Sequence, residues 1–324
     1  MADAYFSGET LDDVLRSVIE QVQASGTRIH PTKGEALEVT GVLLEITNPR
    51  ARLSQTESRG KVYSCLGELC WYLARTNNLS FISYYIPTYV EAADGDMIFG
   101  GYGPRLFSWE GRNQVENVTN ILRKKPDSRQ AVIQLFDALD LVEKHNDVPC
   151  TCTLQFMLRD NKLQMFTSMR SNDVHFGLVH DVFCFTMLQE IVARSLSVDL
   201  GTYKHAVGSL HLYVQHVGPA RRFLKEGWQS TQAVMPSMPA GDPWPSIAIL
   251  LQAESSIRNS GEFAADSIPG LEPYWADLIR LLQVFRCKQD GNIAQIRALR
   301  TQISSKLYLP FIDRVLRKMA TSAR

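Results

Sequence analysis

A cysteine, an arginine and a serine in this chain have side chains suited to covalent work on a phosphorylated molecule. Cys150 follows a proline, and the thiolate of a cysteine is a strong nucleophile. Arg170 and Ser171 carry a guanidinium fork and a hydroxyl, and both groups donate hydrogen bonds to phosphate oxygens. The motifs therefore predict a nucleophile that acts beside a phosphate site.

Three residues further along add groups that suit a nucleoside. The carboxyl group of Asp181 can pair with the hydrogen-bonding edge of a pyrimidine. His211 and Tyr213 are separated by a single residue, and either side chain can hold a sugar hydroxyl. Together with the first motifs, they indicate chemistry on a pyrimidine nucleotide.

The order and spacing of these motifs resemble the thymidylate synthase superfamily. The cysteine of that family lies in Pro-Cys, and its phosphate motif is Arg-Ser-x-Asp, as at Cys150 and at residues 170–173. The resemblance covers residues 60–217 closely and residues 1–59 loosely, and it ends near residue 225. It implies an α+β fold, with a thymidylate-synthase-like mixed sheet, a long buried helix and an added C-terminal helical segment.

The resemblance implies that Cys150 is catalytic, although buried cysteines are more often inert small hydrophobic residues. In the family, the thiolate adds to C6 of the pyrimidine and turns C5 into a carbon nucleophile. A neighbouring guanidinium such as that of Arg170 is expected to lower the pKa of the thiol.

Glu68 and Tyr102 match two further family motifs. Glu68 lies in GELCWYL and resembles the glutamate of the family's Glu-Leu-x-Trp-Phe-Leu helix, which organises water and protons around the base and the folate. A paired structural acid is the alternative for Glu68. Tyr102, in GGYG, resembles the family's Gly-x-x-Tyr-Gly, which implies a position near the C5 proton. A phosphate loop is excluded for these glycines, because no Gly-Lys-Ser or Gly-Lys-Thr follows them.

Further phosphate contacts are expected from basic residues elsewhere. Arg129, in PDSR, resembles the segment that the family sends across its dimer interface to the partner's phosphate, which implies a homodimer. The family has two consecutive arginines there, whereas Gln130 follows Arg129 in this chain. The family's N-terminal phosphate arginine has no aligned counterpart, and Arg28 or Lys33 is expected to replace it.

The same resemblance implies a folate co-substrate, 5,10-methylenetetrahydrofolate. Asp173 matches the family's pterin-contacting aspartate, and Glu68 is expected to act beside it. His211 and Tyr213 match the family's sugar-hydroxyl pair. No metal is expected, because the spacing of the histidines matches no zinc signature.

Two departures from the synthases concern the base. Thymidylate synthases place asparagine at the position of Asp181 and usually cysteine at that of Asn172. Cytosine offers N4–H₂ as a donor and N3 as an acceptor, so an acid complements it, either protonated or paired with an N3-protonated ring. Both departures are similar to the deoxycytidylate hydroxymethylases and to the CMP hydroxymethylases of mildiomycin-type antibiotic biosynthesis. A third departure is the basic helical C-terminus, where synthases carry a short apolar closing tail.

The resemblance therefore implies 5-hydroxymethylation of CMP, dCMP or both, in which water captures an exocyclic methylene with help from Glu68. A thymidylate synthase acting on dUMP is one alternative, and Asp181 and the missing tail argue against it. A non-catalytic nucleotide- or RNA-binding paralogue is another, and the joint presence of the motif residues argues against it. The choice between ribose and deoxyribose stays open, because the sequence identifies no side chain that faces C2′.

Composition and charge indicate an ordinary globular enzyme. Hydrophobic residues make up 45% of the chain, and 34 basic side chains balance 34 acidic ones, so neither nucleic acid nor a membrane surface is expected as a partner. The first ten residues lack the features of a signal peptide, and no apolar run approaches the roughly 20 residues that span a bilayer. Six cysteines without a CxxC pair favour reduced thiols and a cytoplasmic location.

Hydrophobic periodicity predicts the main elements. Helices are predicted over 11–24, 62–73, 114–125 and 181–195, and strands over 36–46, 130–136, 152–158 and 162–168. A loop is predicted over 27–34, a short strand within 200–212, and basic helices over 286–318 with interruptions at Gly291 and Pro310. We expect residues 1–234 to form the catalytic core. Residues 235–324 are expected to form a proline-rich connection and a helical segment packed on the same domain.

Overall fold

A computed structural model describes residues 4–261, 263, 265 and 268–322. The described strands are β1 (Tyr5–Gly8), β2 (Thr27–Ile29), β3 (Ala36–Ile46), β4 (Val132–Gln134), β5 (Thr151–Arg159), β6 (Lys162–Asp173) and β7 (Asp199–Tyr213). The described helices are α1 (Leu11–Ser25), α2 (Val62–Leu73), α3 (Leu79–Tyr85), α4 (Tyr102–Phe107), α5 (Gln114–Lys124), α6 (Gly177–Ser195), α7 (Val217–Lys225), α8 (Trp244–Ser260), α9 (Pro273–Gln289), α10 (Ile293–Gln302) and α11 (Leu309–Ser322).

The strands form one mixed sheet in the order β1-β3-β7-β6-β5-β4, and β2 extends the edge of β3. The pairs β1–β3 and β6–β7 are parallel, whereas β3–β7, β5–β6 and β4–β5 are antiparallel. The turn between β5 and β6 uses Asp160 and Asn161 with positive φ, which suits a tight hairpin. The predicted α+β fold with a mixed sheet is confirmed.

Helix α6 is the long buried helix of the prediction. Its side chains are apolar nearly all round, so it packs against both α2 and the strands β6 and β7. It begins at Gly177, four residues before the predicted start. The carboxylate of Asp173 accepts hydrogen bonds from the backbone N–H groups of His175 and Phe176, which turns the chain from β6 directly into the helix.

Several predicted elements have the expected bounds, and a few were wrong. Helix α1 begins at the capping box formed by Thr10 and Asp13, and the predicted bounds of β3 and α2 are confirmed. The loop predicted over 27–34 contains β2. Pro310 lies in the first turn of α11, where its missing N–H costs no hydrogen bond, so it does not interrupt a helix.

The prediction of a short strand within 200–212 was also wrong. Strand β7 runs without a break over 15 residues. A glycine at position 208 allows close packing of β7 on β6, because a Cβ there would lie 3.0 Å from the carbonyl oxygen of Arg170 on the neighbouring strand.

The C-terminal helices contact the helices that cover the sheet. Both α8 and α9 pack against α2. The hydroxyl of Tyr85 donates to the buried carboxylate of Glu254 on α8, which also pairs with Arg258. The division of the chain at residue 234 stays a prediction. Among the residues that the structure describes, no helix has both the length and the apolar character needed to cross a membrane.

Candidate active site

The motif residues meet at one end of the central strands. Strands β6 and β7 run in parallel, and their register pairs Ser171 with Ser209 and Asp173 with His211. Strand β5 is antiparallel to β6, so its first residues lie beside the last residues of β6. The sheet therefore brings Cys150 to Arg170, and it brings the end of the phosphate motif to the His-x-Tyr motif.

Cys150 and Arg170 are held together largely through the backbone. The backbone N–H of Arg170 donates to the carbonyl oxygen of Cys150 at 2.9 Å. The guanidinium donates to the carbonyl oxygens of Pro149 and Val148 at 2.9 and 3.0 Å, and one of its nitrogens lies 3.6 Å from the sulfur. The guanidinium is thus fixed over the Pro-Cys segment and stays partly open to solvent, where a phosphate can reach it.

The thiol of Cys150 departs from the expectation for an activated cysteine. Burial raises its pKa to about 11, and the positive charges of Arg170 and Lys33 offset only part of that effect. The neighbouring carboxyl groups of Asp147 and Asp181 raise the pKa further. The expected lowering by Arg170 is present, but desolvation outweighs it, so the thiol is protonated at neutral pH.

Tyr102 lies next to Cys150 at the start of α4. Its hydroxyl oxygen accepts hydrogen bonds from the backbone N–H and the side-chain hydroxyl of Thr151, at 3.1 and 2.9 Å. Burial raises the pKa of Tyr102 well above its usual range. With both acceptor positions taken by Thr151, the phenol keeps its own proton available as a donor.

Glu68 on α2 is a buried carboxylate with two tyrosine partners. Its Oε1 accepts hydrogen bonds from the hydroxyls of Tyr72 and Tyr89, both at 2.8 Å. The side chain is 3% exposed, and its charge raises the pKa of Asp181, which places the two acids in one neighbourhood. The paired state suits the structural alternative as well, because one carboxylate oxygen is satisfied within the protein.

Asn172 and Asp181 form a buried pair between the end of β6 and the first turns of α6. The amide Nδ2 of Asn172 donates to Oδ2 of Asp181 at 2.7 Å. Burial and the charge of Glu68 raise the pKa of Asp181 well above its usual range, and the hydrogen bond from Asn172 opposes this effect only in part. A neutral acid held in this way can both donate to and accept from a base.

Asp173 lies beside an exposed aromatic ring. The carboxylate that turns the chain into α6 keeps acceptor capacity beyond its two backbone bonds. The ring of Phe176 is 45% exposed and lies edge-on to the rings of His175 and His216. Arg59 lies 5.7 Å from the centre of this ring. Asp173 and Phe176 thus form a rim of the site, in which a hydrogen-bond acceptor lies next to a flat apolar surface.

His211 and Tyr213 lie at the end of β7, on the same side as Asp173. Their rings pack edge-to-face with centroids 5.0 Å apart, and Nδ1 of His211 lies 3.4 Å from the carbonyl oxygen of Ser209. His211 is buried, Tyr213 is half-buried, and the strand register places His211 beside Asp173.

A comparison of the sequence with protein-family models identifies the family of this chain. The model described as thymidylate synthase matches residues 10–238, a span that contains every site residue named above. The chain belongs to the thymidylate synthase family. It is also 28% identical over 228 residues to the deoxyuridylate hydroxymethyltransferase of Bacillus phage SP01. That alignment covers 66% of this chain and 60% of the phage protein, so the chain spans less than two thirds of that relative's length.

The basic residues expected to complete the phosphate site of this family member lie in different surroundings. Lys33 is exposed in the turn before β3 and is close enough to lower the pKa of Cys150 and of Asp147. Arg28 lies on the edge strand β2 and forms an ion pair with Glu35. Arg129 is exposed between α5 and β4, and its carbonyl oxygen accepts from Gln155 at 3.1 Å. Within its own chain, the structure brings Lys33 nearest to the thiol.

Four residues of the site were not predicted from the sequence. Asp147 lies beside the thiol, Tyr89 bonds Glu68 from 21 residues away, and Thr151 bonds Tyr102. Met169 contacts the amide of Asn172 through its sulfur. Each acts through a tertiary contact that the sequence does not specify. Only Thr151 and Met169 could have been suspected, because they lie next to the motif residues Cys150 and Arg170. In the described part of the chain, no group of three or more His, Cys, Asp or Glu side chains is arranged to hold a metal ion.

Proposed function

We propose that this protein catalyses 5-hydroxymethylation of a pyrimidine nucleoside monophosphate, with cytosine nucleotides (CMP, dCMP or both) as its substrates. The proposal rests on one observation above others: the buried Asn172–Asp181 pair lies in the same neighbourhood as Glu68 and Cys150. The similarity to a phage hydroxymethyltransferase supports the reaction. The pairing of the acid at position 181 with Asn172 supports the choice of cytosine.

Cys150 is the residue proposed to attack C6 of the ring. Because burial raises the pKa of its thiol to about 11, the thiol proton must pass to a base as the carbon–sulfur bond forms, and the carboxyl group of Asp147 beside the thiol is proposed to take it. The carbon–sulfur bond breaks again after water has added to the methylene, and this returns the thiol. Arg170 is proposed to bind the phosphate through the part of its guanidinium that faces solvent. The attack makes C5 nucleophilic, and Tyr102 is proposed to lie near the proton that C5 later loses.

The family's folate co-substrate fits the residues around Asp173. A pterin ring is flat and carries N–H donors, and the rim offers the spare acceptor capacity of Asp173 beside the exposed ring of Phe176. When bound, 5,10-methylenetetrahydrofolate supplies the one-carbon unit that becomes the hydroxymethyl group. We propose that Asp173 and Glu68 would hold it beside the nucleotide.

Glu68 is proposed to position the water that completes the reaction. In atoms, the nucleotide, the methylene donor and one water give the 5-hydroxymethyl nucleotide and tetrahydrofolate, with no change in the oxidation state of the folate ring. A carboxylate fixed by two tyrosine hydroxyls can accept a proton from water at a defined position. His211 and Tyr213 are proposed to hold the sugar hydroxyls.

A homodimer is proposed from the uncovered face of the sheet. Alternate residues of β5, β6 and β7 point away from α6, and apolar ones among them, such as Met157, Phe166 and Ala206, stay half-exposed in the single chain. A second copy would cover this face. The exposed Arg129 lies at the β4–β5 edge of the same sheet, where it can reach a partner's phosphate site.

A second candidate is 5-hydroxymethylation of dUMP, which the name of the phage relative favours. Turnover of CMP, dCMP, UMP and dUMP with the folate, with products separated by mass, tests both candidates. We expect a product 30 mass units heavier (CH₂O, about 30 Da) from the cytosine nucleotides. A hydroxymethyl product from dUMP alone would replace the cytosine proposal with the uracil one.

A further inference from the structure

The amide of Asn172 is fixed in one orientation by two partners of its amino group. One N–H donates to Oδ2 of Asp181 at 2.7 Å, and the other faces the sulfur of Met169 at 2.9 Å. A thioether sulfur carries no proton and is a weak acceptor, so it favours the amino side of the amide. Both protons of Nδ2 are therefore used within the protein.

This orientation leaves a buried acceptor without a partner. Asn172 is 3% exposed, and among the described residues its Oδ1 has no hydrogen-bond donor. The space beside it opens towards Gly177. A Cβ at position 177 would have Asn172 Oδ1 and Asp181 Oδ2 as its nearest atoms, each at 3.5 Å. Two acceptor oxygens thus line one gap that a glycine keeps open, and an unpaired buried acceptor is costly unless a ligand donates to it.

Asp181 by itself discriminates poorly between the two bases. Burial raises the pKa of its carboxyl group, so the neutral acid is favoured. A neutral carboxyl group has one donor and one acceptor, as an amide has, and it can pair with N3 and N4–H₂ of cytosine. The same group, turned over, can pair with N3–H and O4 of uracil. Another residue must therefore determine which carboxyl oxygen of Asp181 donates and which accepts.

We propose that Asn172, fixed by Met169, selects a ring that carries an exocyclic amino group. The protonated Oδ1 of Asp181 donates to N3 of the ring, and its Oδ2 accepts one proton of N4. The Oδ1 of Asn172 accepts the second proton of N4. Because Asn172 also donates to Oδ2 of Asp181, the acid proton is restricted to Oδ1. A uracil ring would place its O4 acceptor against the Oδ1 acceptor of Asn172. This inference rests on the proposed function and names the specificity residue of that site.

The test compares two substitutions with a matched control. Asn172→Cys removes the acceptor, and Met169→Leu keeps the apolar volume but removes the sulfur that orients the amide. Met165→Leu is the control, because Met165 is an equally buried methionine on the same strand. The readouts are the kcat/KM for cytosine nucleotides divided by that for uracil nucleotides, and the Kd for UMP divided by the Kd for CMP, measured by calorimetry.

We expect Asn172→Cys to lower both ratios roughly ten- to a hundred-fold, which is the range for a mismatched buried hydrogen bond. Met169→Leu should lower them by about two- to five-fold, because the amide can then turn over. Met165→Leu should leave them unchanged. If Asn172→Cys does not fold, the two methionine variants still decide the question.

Unchanged ratios in both Asn172→Cys and Met169→Leu, with the ratio lost in Asp181→Asn, would overturn the proposal and assign base selection to Asp181 alone. Tighter binding of UMP than of CMP by the unaltered protein would overturn it as well. Failure of the proposed function has a different signature: no nucleotide gives a hydroxymethyl product, while the Kd ratios still report on the amide.

Discussion

The two ends of the site are held by different kinds of contact. At the Cys150 end, the guanidinium of Arg170 donates to backbone carbonyl oxygens, and the backbone of the two strands fixes the thiol beside it. At the Asp181 end, side chains hold side chains: Asn172 bonds Asp181 and touches the sulfur of Met169. The first end depends on the fold, and the second depends on the identity of a few residues.

This difference separates the chemistry from the choice of base. Backbone contacts survive most substitutions, so the position of the thiol and phosphate groups should be common to any pyrimidine substrate. Side-chain orientation changes with a single substitution, so base preference should be adjustable without loss of the reaction. Substitutions at the Cys150 end should therefore lower turnover of every substrate, whereas substitutions at the Asp181 end should change the base preference.

The largest effect is expected at the Cys150 end. Cys150→Ala or Cys150→Ser should lower turnover by roughly 10⁴-fold or more, because the covalent step is lost, while the Kd for nucleotide changes less than about three-fold. Turnover and calorimetric binding of the same variant measure the two quantities. Release of tritium from C5-labelled nucleotide by the alanine variant would remove Cys150 from the nucleophile role.

The same variant tests whether Arg129 acts across a dimer. Mixed with an Arg129→Ala variant and allowed to exchange subunits, Cys150→Ala should give heterodimers in which one site has both an intact thiol and the partner's intact arginine. Activity should then exceed the sum of the two parents. Mixing without any gain, although heterodimers form, would assign Arg129 to its own chain or to no role.

A smaller effect is expected from Glu68→Gln. The amide oxygen can still accept from Tyr72 and Tyr89, but the group can no longer take a proton, so kcat should fall roughly 10²- to 10³-fold with little change in nucleotide affinity. Glu254→Gln is the control, because Glu254 is also a buried glutamate that accepts from a tyrosine, Tyr85, and it is not one of the site residues. Equal losses in the two variants, each with a lowered Tm, would indicate that Glu68 is structural.

The smallest effect concerns the thiol in the free protein. With a pKa of about 11, Cys150 is a neutral thiol near pH 7, so its alkylation by iodoacetamide should accelerate about ten-fold per pH unit up to pH 10. Arg170→Gln removes a positive charge that favours the thiolate, so the pKa should rise further and the rate at each pH should fall about three- to ten-fold. Mass analysis of the peptide that carries Cys150 measures the rate, and Arg159→Gln at the far end of β5 is the control. A pH-independent rate near neutrality would show that the thiol is already ionised.

The sequence predicted what is local and missed what depends on tertiary contact. The bounds of β3 and α2 follow from hydrophobic periodicity, and the family resemblance implied the meeting of Cys150 with Arg170. The raised pKa of the thiol was missed, because burial outweighs the one nearby charge that the sequence suggested.

The contact between Met169 and Asn172 was missed for a related reason. Strand periodicity places two residues on one face when they are two positions apart, and these residues are three apart. Their contact depends on how β6 ends and how the side chains turn there, which neither composition nor spacing specifies. Tyr89 lies in the 3₁₀ helix Pro87–Ala92 outside α2, and its contact with Glu68 was unpredictable for the same reason.

The most direct test of the central claim is the fate of the folate during turnover. With CMP or dCMP and 5,10-methylenetetrahydrofolate, we predict a 5-hydroxymethyl nucleotide and tetrahydrofolate, with no rise in absorbance at the dihydrofolate band. Dihydrofolate formed in a one-to-one ratio with a methylated nucleotide would contradict the account, because the methylene would then be reduced by the folate instead of being captured by water.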